Sequence, residues 1–184
     1  MDDSPDPARH KNAGGAVLVV GTDGFIGSAL IRGLSARGFD CLGTTRRPER
    51  VSSRRLYLDL TRQEEFALPK ALNSAIIAAG VTGFKNCETK PEAWDVNTVK
   101  IPALAARLLE AGVFTLLLSS SAVFAESMIR PAEEAVHNPT TAYGRQKSLG
   151  ETKAVEKARA LDRDGLLCVA RLTKILDAGT GLAA

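Results

Sequence analysis

The sequence predicts an α/β fold in which a doubly wound parallel sheet carries helices on both faces. Two observations support this prediction. Short apolar segments alternate along the chain with longer amphipathic ones, as strands and helices do in such folds. Several short segments, among them residues 75–78 and 114–118, are apolar throughout, which is typical of parallel strands covered on both faces. A chain of 184 residues can bury one core of this kind.

The alternation predicts six strands and four helices. β-Branched and other apolar residues predict strands at residues 16–20, 39–44, 55–58, 74–79, 113–119 and 166–172. Apolar residues at helical spacing predict helices at residues 24–37, 63–72, 92–111 and 141–161. Gly38 is suited to ending the first helix, Pro91 to starting the third, and Pro102 to kinking it.

A glycine-rich turn joins the first predicted strand to the first predicted helix. Its glycines are Gly21, Gly24 and Gly27, and Phe25 and Ile26 lie between the last two. In such a turn the first glycine permits the bend, the second lets a pyrophosphate approach the backbone, and the third lets helix and strand pack closely. Unpaired N–H groups at the helix N-terminus face the anion. The pattern predicts a dinucleotide site, and the alternative is a turn without a ligand.

The composition argues against several other classes of protein. With 24 basic and 21 acidic residues, the net charge of +3 is too small to indicate a nucleic-acid surface. The two histidines, His10 and His137, offer little material for a metal site or a Ser-His-Asp triad, so we predict no metal. The apolar stretches fall short of a membrane span, and we expect no membrane partner.

The N-terminal segment and the cysteines bear on location. Residues 1–15 are polar and lack the apolar centre of a signal peptide, so we expect a disordered leader. Cys41, Cys87 and Cys168 are far apart, odd in number and outside any CxxC pair, which favours buried free thiols in a reducing compartment. These features together predict a cytoplasmic protein.

The end of the second predicted strand bears on the choice of cofactor. Sites that bind NAD usually have an acidic residue there, which binds the ribose 2′-hydroxyl. This chain has Thr44, Thr45, Arg46 and Arg47 instead, and the nearest acid, Asp40, lies at the other end of the strand. Guanidinium groups beside hydroxyls suit a 2′-phosphate. The pattern therefore predicts NADP(H), with NAD less favoured, unless the arginines are only solvated loop charges.

Tyr143 and Lys147 lie four residues apart in the last predicted helix and therefore share one face. A tyrosine with an ordinary pKa of about 10 becomes an acid/base at neutral pH only when a nearby cation stabilises its phenolate. Lowering that pKa by about 3 units takes roughly 4 kcal/mol, most of which a desolvated ammonium could supply. The pair indicates acid/base chemistry, although the spacing alone also occurs by chance.

With these motifs in this order, the chain resembles the extended short-chain dehydrogenase/reductases, the NAD-dependent epimerase/dehydratase family, whose nucleotide-binding domain has a Rossmann-type fold. Besides the three glycines, the resemblance rests on residues near the predicted strand ends and in the following helices: Asp59, Leu60, Ala78, Ala79, Gly80, Asn97, Ser119, Ser120, Ser121, Val123, Phe124, Tyr143, Lys147, Glu151 and Arg171. Within the family, residues 79–88 and the ending Val123-Phe124 are similar to the dTDP-4-dehydrorhamnose reductase branch of sugar-nucleotide enzymes.

The resemblance implies catalytic roles for three side chains. Tyr143 would exchange a proton with the substrate oxygen, and Lys147 would lower the pKa of the tyrosine and hold the nicotinamide ribose. Ser120, rather than its neighbour Ser121, would hydrogen-bond the reacting oxygen. The alternative for this serine run is that it only ends a strand and caps a turn.

The resemblance also implies the cofactor contacts and the substrate class. Asp59 would bond the adenine amine and Leu60 would flank the ring, while a capping role for Asp59 is the alternative. The other implied contacts are Gly21, Gly24, Phe25, Ile26, Gly27, Thr45, Arg46, Arg47, Ala78, Ala79, Gly80, Tyr143 and Lys147. The substrate would be a nucleotide sugar that is reduced at a 4-keto group or epimerised. Ser121 and Ala122 replace the Asp-Glu pair of the dehydratases, which disfavours dehydration.

Members of this family are longer than this chain and end in a domain that grips the sugar nucleotide. We therefore expect a nucleotide-binding domain at residues 16–177, a truncated tail at residues 178–184, and no substrate domain. Two hypotheses follow: an incomplete enzyme, or a non-catalytic nucleotide-binding domain that works with a partner. The resemblance also allows a homodimer through the family's fourth and fifth helices.

Overall fold

The computed structural model of the protein describes residues 14–173, 176–177 and 181–182. A six-stranded parallel sheet forms its centre, with the strand order β3-β2-β1-β4-β5-β6. Its strands are β1 Ala16–Val20, β2 Cys41–Thr45, β3 Arg55–Tyr57, β4 Leu72–Ile77, β5 Phe114–Ser120 and β6 Leu167–Leu172. The order reverses between β1 and β4, as it does in a doubly wound sheet. All six predicted strands are present, with small shifts of their ends.

Within the described residues, the α-helices are α1 Phe25–Ala36, α2 Phe84–Thr89, α3 Pro91–Asp95, α4 Ile101–Glu110 and α5 Ala142–Ala160. A π-helical turn, Val96–Lys100, joins α3 to α4. Pro102 lies in the first turn of α4, just after the π turn, and has no N–H group to donate to Thr98. The kink at this proline stays a prediction. Helix α1 ends as predicted at Gly38, which has a left-handed φ of +83°.

Helices pack on both faces of the sheet, as the sequence predicts. On one face, α4 and α5 cover the central strands in a large cluster whose fully buried members include Leu18, Ile77, Leu104 and Leu108. On the other face, α1 packs on β1 and β2 in a smaller cluster that contains Val17, Val19, Cys41, Leu30, Ile31 and Leu34. Because each fully buried leucine contributes about 1.5–3 kcal/mol, the larger cluster provides most of the hydrophobic stabilisation.

The prediction of a helix at residues 63–72 is wrong. The chain forms a 3-10 segment there, Leu60–Glu65, and then runs without regular structure into β4. Pro69 removes a backbone donor, and Arg107 of α4 donates to the carbonyl oxygen of Phe66 at 2.6 Å, so a distant side chain replaces partners that a helix would have provided. Helix α2 is absent from the sequence prediction, because six residues carry too little periodicity to indicate a helix.

The prediction that all three cysteines are buried is wrong for Cys168. This residue lies on β6, which is an edge strand of the sheet. Side chains alternate along a strand, and Leu117 lies in the larger core cluster, so Leu116 lies on the opposite face. Cys168 pairs in register with Leu116 and is exposed. Cys41 and Cys87 are buried, as predicted.

Two predicted segments fall wholly or partly on residues that the structure does not describe. Residues 1–13 of the predicted leader lie outside the described residues, and so do residues 178–180 and 183–184 of the predicted tail. Two short strands, β7 Leu176–Asp177 and β8 Gly181–Leu182, pair in the antiparallel direction. None of the helices in the described ranges combines the length and the apolar character needed to cross a membrane.

Candidate cofactor and catalytic site

The glycine-rich turn between β1 and α1 is packed too tightly for side chains at two of its glycines. Gly21 has a left-handed φ of +94°, and a Cβ atom there would lie 2.7 Å from the Cβ atom of Ala79. A Cβ atom on Gly27 would lie 2.2 Å from the carbonyl oxygen of Gly21. Both positions therefore require glycine, and the turn is pressed between α1 and the segment after β4.

Gly24 differs from these glycines, because a side chain there would meet little of the protein. The nearest atom to a Cβ placed on Gly24 is the carbonyl oxygen of Gly21 at 3.4 Å, and the φ of −81° suits any residue. Helix α1 begins at Phe25, so the N–H groups of its first turn, including that of Ile26, have no partner within the helix. The fold does not require glycine at this position, whereas a pyrophosphate against the backbone would.

A carboxylate that the sequence analysis overlooked lies between the glycine-rich turn and the end of β2. Thr45 Oγ1 donates to Asp23 Oδ2 at 2.5 Å. Burial raises the pKa of Asp23, but the bond from Thr45 and the charges of Arg50 and Arg47 lower it more, so the carboxyl is ionised. Arg46 and Arg47 follow β2 with exposed side chains. The charge of Arg47 thus acts on Asp23, a negative charge within the turn, and its predicted contact with the cofactor stays a prediction.

Asp59 caps the 3-10 segment Leu60–Glu65. Its Oδ1 accepts from the N–H and the hydroxyl of Thr61 at 2.9 and 2.8 Å, so the capping role that was the alternative is present. Burial raises the pKa of Asp59, while the bonds from Thr61 and nearby charges, including that of Arg46, bring it below its usual value. Leu60 is partly buried against the larger core cluster. Adenine binding by these two residues stays a prediction.

The turn after β4 lies against the end of β1, as expected at the carboxyl edge of the sheet. The N–H group of Ala78 donates to the carbonyl oxygen of Val20 at 3.0 Å. A Cβ atom on Gly80 would lie 3.1 Å from Asn97 Oδ1. Asn97 is buried in the π turn, where it accepts from the N–H of Val81 at 3.0 Å and donates to its carbonyl oxygen at 2.9 Å. Asn97 therefore holds this turn in place.

A buried glutamine, which the sequence analysis also overlooked, links this region to α5. Gln146 is 1% exposed. Its Oε1 accepts from Asn97 Nδ2 at 2.8 Å, and its Nε2 donates to the carbonyl oxygen of Cys87 at 2.8 Å. Because a satisfied buried network fixes the elements that it joins, α2, the π turn and the helix that carries Tyr143 are held in one arrangement.

Ser120 and Tyr143 lie near each other at the carboxyl end of β5. Ser120 is the last residue of that strand, and Tyr143 lies in the first turn of α5. Burial raises the pKa of the Tyr143 phenol, and the nearby hydroxyl of Ser120 lowers it less than burial raises it. The tyrosine ring lies edge-on to Phe84, with centroids 6.2 Å apart. Two of the three predicted catalytic side chains therefore lie near each other, while Ser121 starts a 3-10 turn.

Lys147, the third predicted catalytic residue, lies one helical turn beyond Tyr143. Its Nζ donates to the carbonyl oxygen of Leu118 at 2.8 Å. Burial lowers the pKa of the ammonium to about 8, although the charge of Glu151 opposes the change. From the sequence we expect the pKa of Tyr143 to fall, but burial of the phenol raises it.

A second polar cluster anchors the loop that precedes α5. Arg171 of β6 donates through Nε to Glu151 Oε2 at 2.9 Å and through Nη1 to the carbonyl oxygen of Glu133 at 2.7 Å. His137 Nε2 lies 3.1 Å from Arg171 Nη2, and its Nδ1 lies 2.9 Å from Ser148 Oγ. Glu151 is 3% exposed. The cluster ties the loop to the helix that carries the candidate catalytic residues.

The fold and the site define the class of protein. A doubly wound sheet whose glycine-rich turn and Ser120–Tyr143 pair lie at the carboxyl ends of its strands is a nucleotide-binding domain of the Rossmann type. Over residues 17–174 the chain matches the NAD dependent epimerase/dehydratase family, and it belongs to that family. The family inferred from the sequence motifs is confirmed. In the ranges that the structure describes, no group of His, Cys, Asp or Glu side chains could hold a metal ion.

Solved structures are similar to this chain. It is 27% identical to MoeE5 in complex with UDP-glucose and NAD, with a TM-score of 0.73 over 92% of this chain and 57% of that one. It is 26% identical to a hypothetical dTDP-4-dehydrorhamnose reductase from Sulfolobus tokodaii, with a TM-score of 0.71 over 88% and 56%. A UDP-glucuronic acid 4-epimerase from Bacillus cereus is 17% identical, with a TM-score of 0.68 over 85% and 55%, and shows the fold alone.

The chain spans little more than half the length of these structures, 57% of MoeE5 and 56% of the reductase. No curated protein matches the chain. The family and the fold of this chain are therefore shown.

Proposed function

We propose that this chain is the cofactor-binding part of a sugar-nucleotide oxidoreductase that uses a nicotinamide dinucleotide to reduce or epimerise a keto sugar. The observation that carries the proposal is that Ser120 lies near Tyr143 at the sheet edge where the glycine-rich turn lies. Two similar structures support the substrate class, since one is a complex with UDP-glucose and NAD and the other is a hypothetical dTDP-4-dehydrorhamnose reductase.

The residues of the chain would handle the proton of the reaction, and the nicotinamide, when bound, would supply or accept the hydride. In the direction of reduction, Tyr143 Oη would give its proton to the substrate oxygen, and the raised pKa keeps the phenol protonated at neutral pH. Ser120 Oγ, beside it, would orient the same oxygen. Lys147 would hold the nicotinamide ribose and stabilise the phenolate that remains after proton transfer.

The other half of the cofactor would lie along the turns after β1 and β2. The open backbone at Gly24 and the N-terminus of α1 fit the pyrophosphate. The NADP preference predicted from Arg46 and Arg47 is weakened, since each of these guanidiniums has a carboxylate near it, Asp59 and Asp23 respectively. Dinucleotide binding is therefore the part of the proposal that the site supports most directly, and the choice between NAD and NADP depends on the balance of these charges.

Contacts to the sugar nucleotide would come mainly from residues outside this chain, in the same polypeptide or in a partner, because the chain spans 57% of MoeE5. Remote contacts to a substrate contribute to turnover as well as to binding. The 184-residue chain by itself should therefore bind the cofactor and turn over a dTDP- or UDP-4-keto sugar slowly or not at all.

Calorimetric titration with NADH and NADPH tests cofactor binding, and failure to bind either one would contradict the proposal. Fusing the remaining part of a related enzyme after Asp177 should then give NAD(P)H oxidation with a 4-keto sugar. Tyr143→Phe should remove this turnover and leave cofactor binding intact, whereas Tyr57→Phe, a control at the exposed tyrosine of β3, should change neither. A fusion that binds both ligands and stays inert would favour the non-catalytic alternative.

A further inference from the structure

Asp23 lies in the glycine-rich turn, and its side chain is directed toward the end of β2. Besides the 2.5 Å bond from Thr45 Oγ1 to Oδ2, its Oδ1 lies 3.1 Å from Arg50 Nη1 and 4.0 Å from Arg55 Nη1. The side chain is 19% exposed. Groups on three segments hold this carboxylate, so its position is fixed, unlike that of a solvated loop carboxylate.

The place of Asp23 in the fold is where the adenosine ribose of a dinucleotide lies. In doubly wound folds the pyrophosphate lies at the glycine-rich turn, and the ribose reaches the end of the second strand, where an acidic residue usually binds the 2′-hydroxyl. Residues 44–47 provide no such acid at the end of β2. Asp23 reaches the same position from the opposite side, because its carboxylate is bonded to Thr45, the last residue of β2.

We propose that Asp23 selects NAD over NADP, by accepting a hydrogen bond from the ribose 2′-hydroxyl and repelling a 2′-phosphate. The inference rests on the proposed function, since it requires a nicotinamide dinucleotide in the turn. Each carboxylate oxygen keeps a free lone pair beside its bond to Thr45 or Arg50, so a ribose hydroxyl can still be bound.

This inference reverses the preference that Arg46 and Arg47 predict from the sequence. Both arginines are exposed, so holding them on a phosphate costs side-chain entropy that the fixed carboxylate of Asp23 does not lose. Arg50 forms an ion pair with Asp23, and the positive charge of Arg47 also interacts with this carboxylate. Removing the carboxylate would therefore remove a repulsion and free two cations for a 2′-phosphate at the same time.

Affinities of the chain for NADH and NADPH, measured by calorimetry, test the inference. The wild-type chain should bind NADH about tenfold or more tightly than NADPH, as expected for a charged contact. Asp23→Asn keeps the shape and the bond from Thr45, and it should strengthen NADPH binding about tenfold and abolish the preference. Asp40→Asn is the matched control, since Asp40 is paired with Arg54 before β2 begins, and the ratio of the two affinities should not change.

Two results would overturn the inference while leaving the proposed function intact: a wild-type preference for NADPH, or equal ratios of the two affinities in the wild type and in Asp23→Asn. A wild-type chain that binds neither cofactor would instead contradict the proposed function, and the inference with it. Thermal unfolding followed by circular dichroism compares the folding of the variants. Should Asp23→Asn fail to fold, Asp23→Ser, which also lacks the charge and suits a turn, carries the same test.

Discussion

Replacing Lys147 with methionine tests whether the ammonium of this candidate catalytic residue is buried. Methionine has a similar length and no charge, so Lys147→Met keeps most of the packing while it removes the hydrogen bond to the carbonyl oxygen of Leu118. The pKa of Lys147 is lowered by burial from an ordinary 10.5 to about 8, because the charged form is poorly solvated in the folded protein. This difference makes the stability of the fold depend on pH.

The direction of this dependence follows from the two pKa values of Lys147. Folding disfavours the charged form, so a penalty is present in full below about pH 8 and is relieved as the pH rises toward 10.5. In this window the unfolded chain binds more protons than the folded one, and stability increases with pH. For these values the gain between about pH 7 and about pH 9 is about 1 kcal/mol. Cys87, whose pKa burial raises from 9.0, acts in the opposite direction at higher pH.

Urea unfolding at about pH 7, 8 and 9, followed by circular dichroism, measures the free energy of unfolding. The difference between wild type and Lys147→Met should grow in favour of the wild type by about 1 kcal/mol across this range. Lys157→Met, at an exposed lysine of the same helix, is the control and should follow the wild type. Parallel curves for wild type and Lys147→Met would refute the reasoning, because they would show that the ammonium is solvated in the folded protein.

The remaining predictions concern the glycine-rich turn and the cluster around Arg171. Gly24→Val should unfold near the wild-type temperature and lose NADH binding, whereas Gly27→Val should not fold, because its Cβ would lie 2.2 Å from a backbone oxygen. Thermal melts and NADH titration check both variants, and NADH binding by Gly24→Val would contradict a pyrophosphate against this glycine. Glu151→Gln should lower the free energy of unfolding by about 3 kcal/mol, because the charge of Arg171 loses its buried partner, while Glu156→Gln, exposed on the same helix, should change it by less than about 0.5 kcal/mol. Equal urea midpoints for these last two variants would contradict the burial of the ion pair.

The unit of β1, the glycine-rich turn and α1 shows what can be predicted from sequence. Its apolar strand, its glycines and the left-handed Gly38 that ends α1 are all local signals, carried by neighbouring residues and by the conformations that glycine alone adopts readily. The helix predicted at residues 63–72 is absent because contacts from a distant part of the chain act on that segment. Arg107, about forty residues away in the chain, bonds the backbone of that segment, and no pattern within the segment indicates this.

Some features of the candidate site could likewise be predicted from the sequence, and others depend on the tertiary structure. The sequence by itself determined the doubly wound fold and the family. Helical spacing paired Tyr143 with Lys147, and the resemblance to the family singled out Ser120 and implied the catalytic roles. Only the tertiary structure decided that burial raises the pKa of Tyr143 and lowers that of Lys147, and that Asp23 reaches Thr45. These properties depend on the exclusion of water and on distances between segments far apart in the chain, which residue order does not specify.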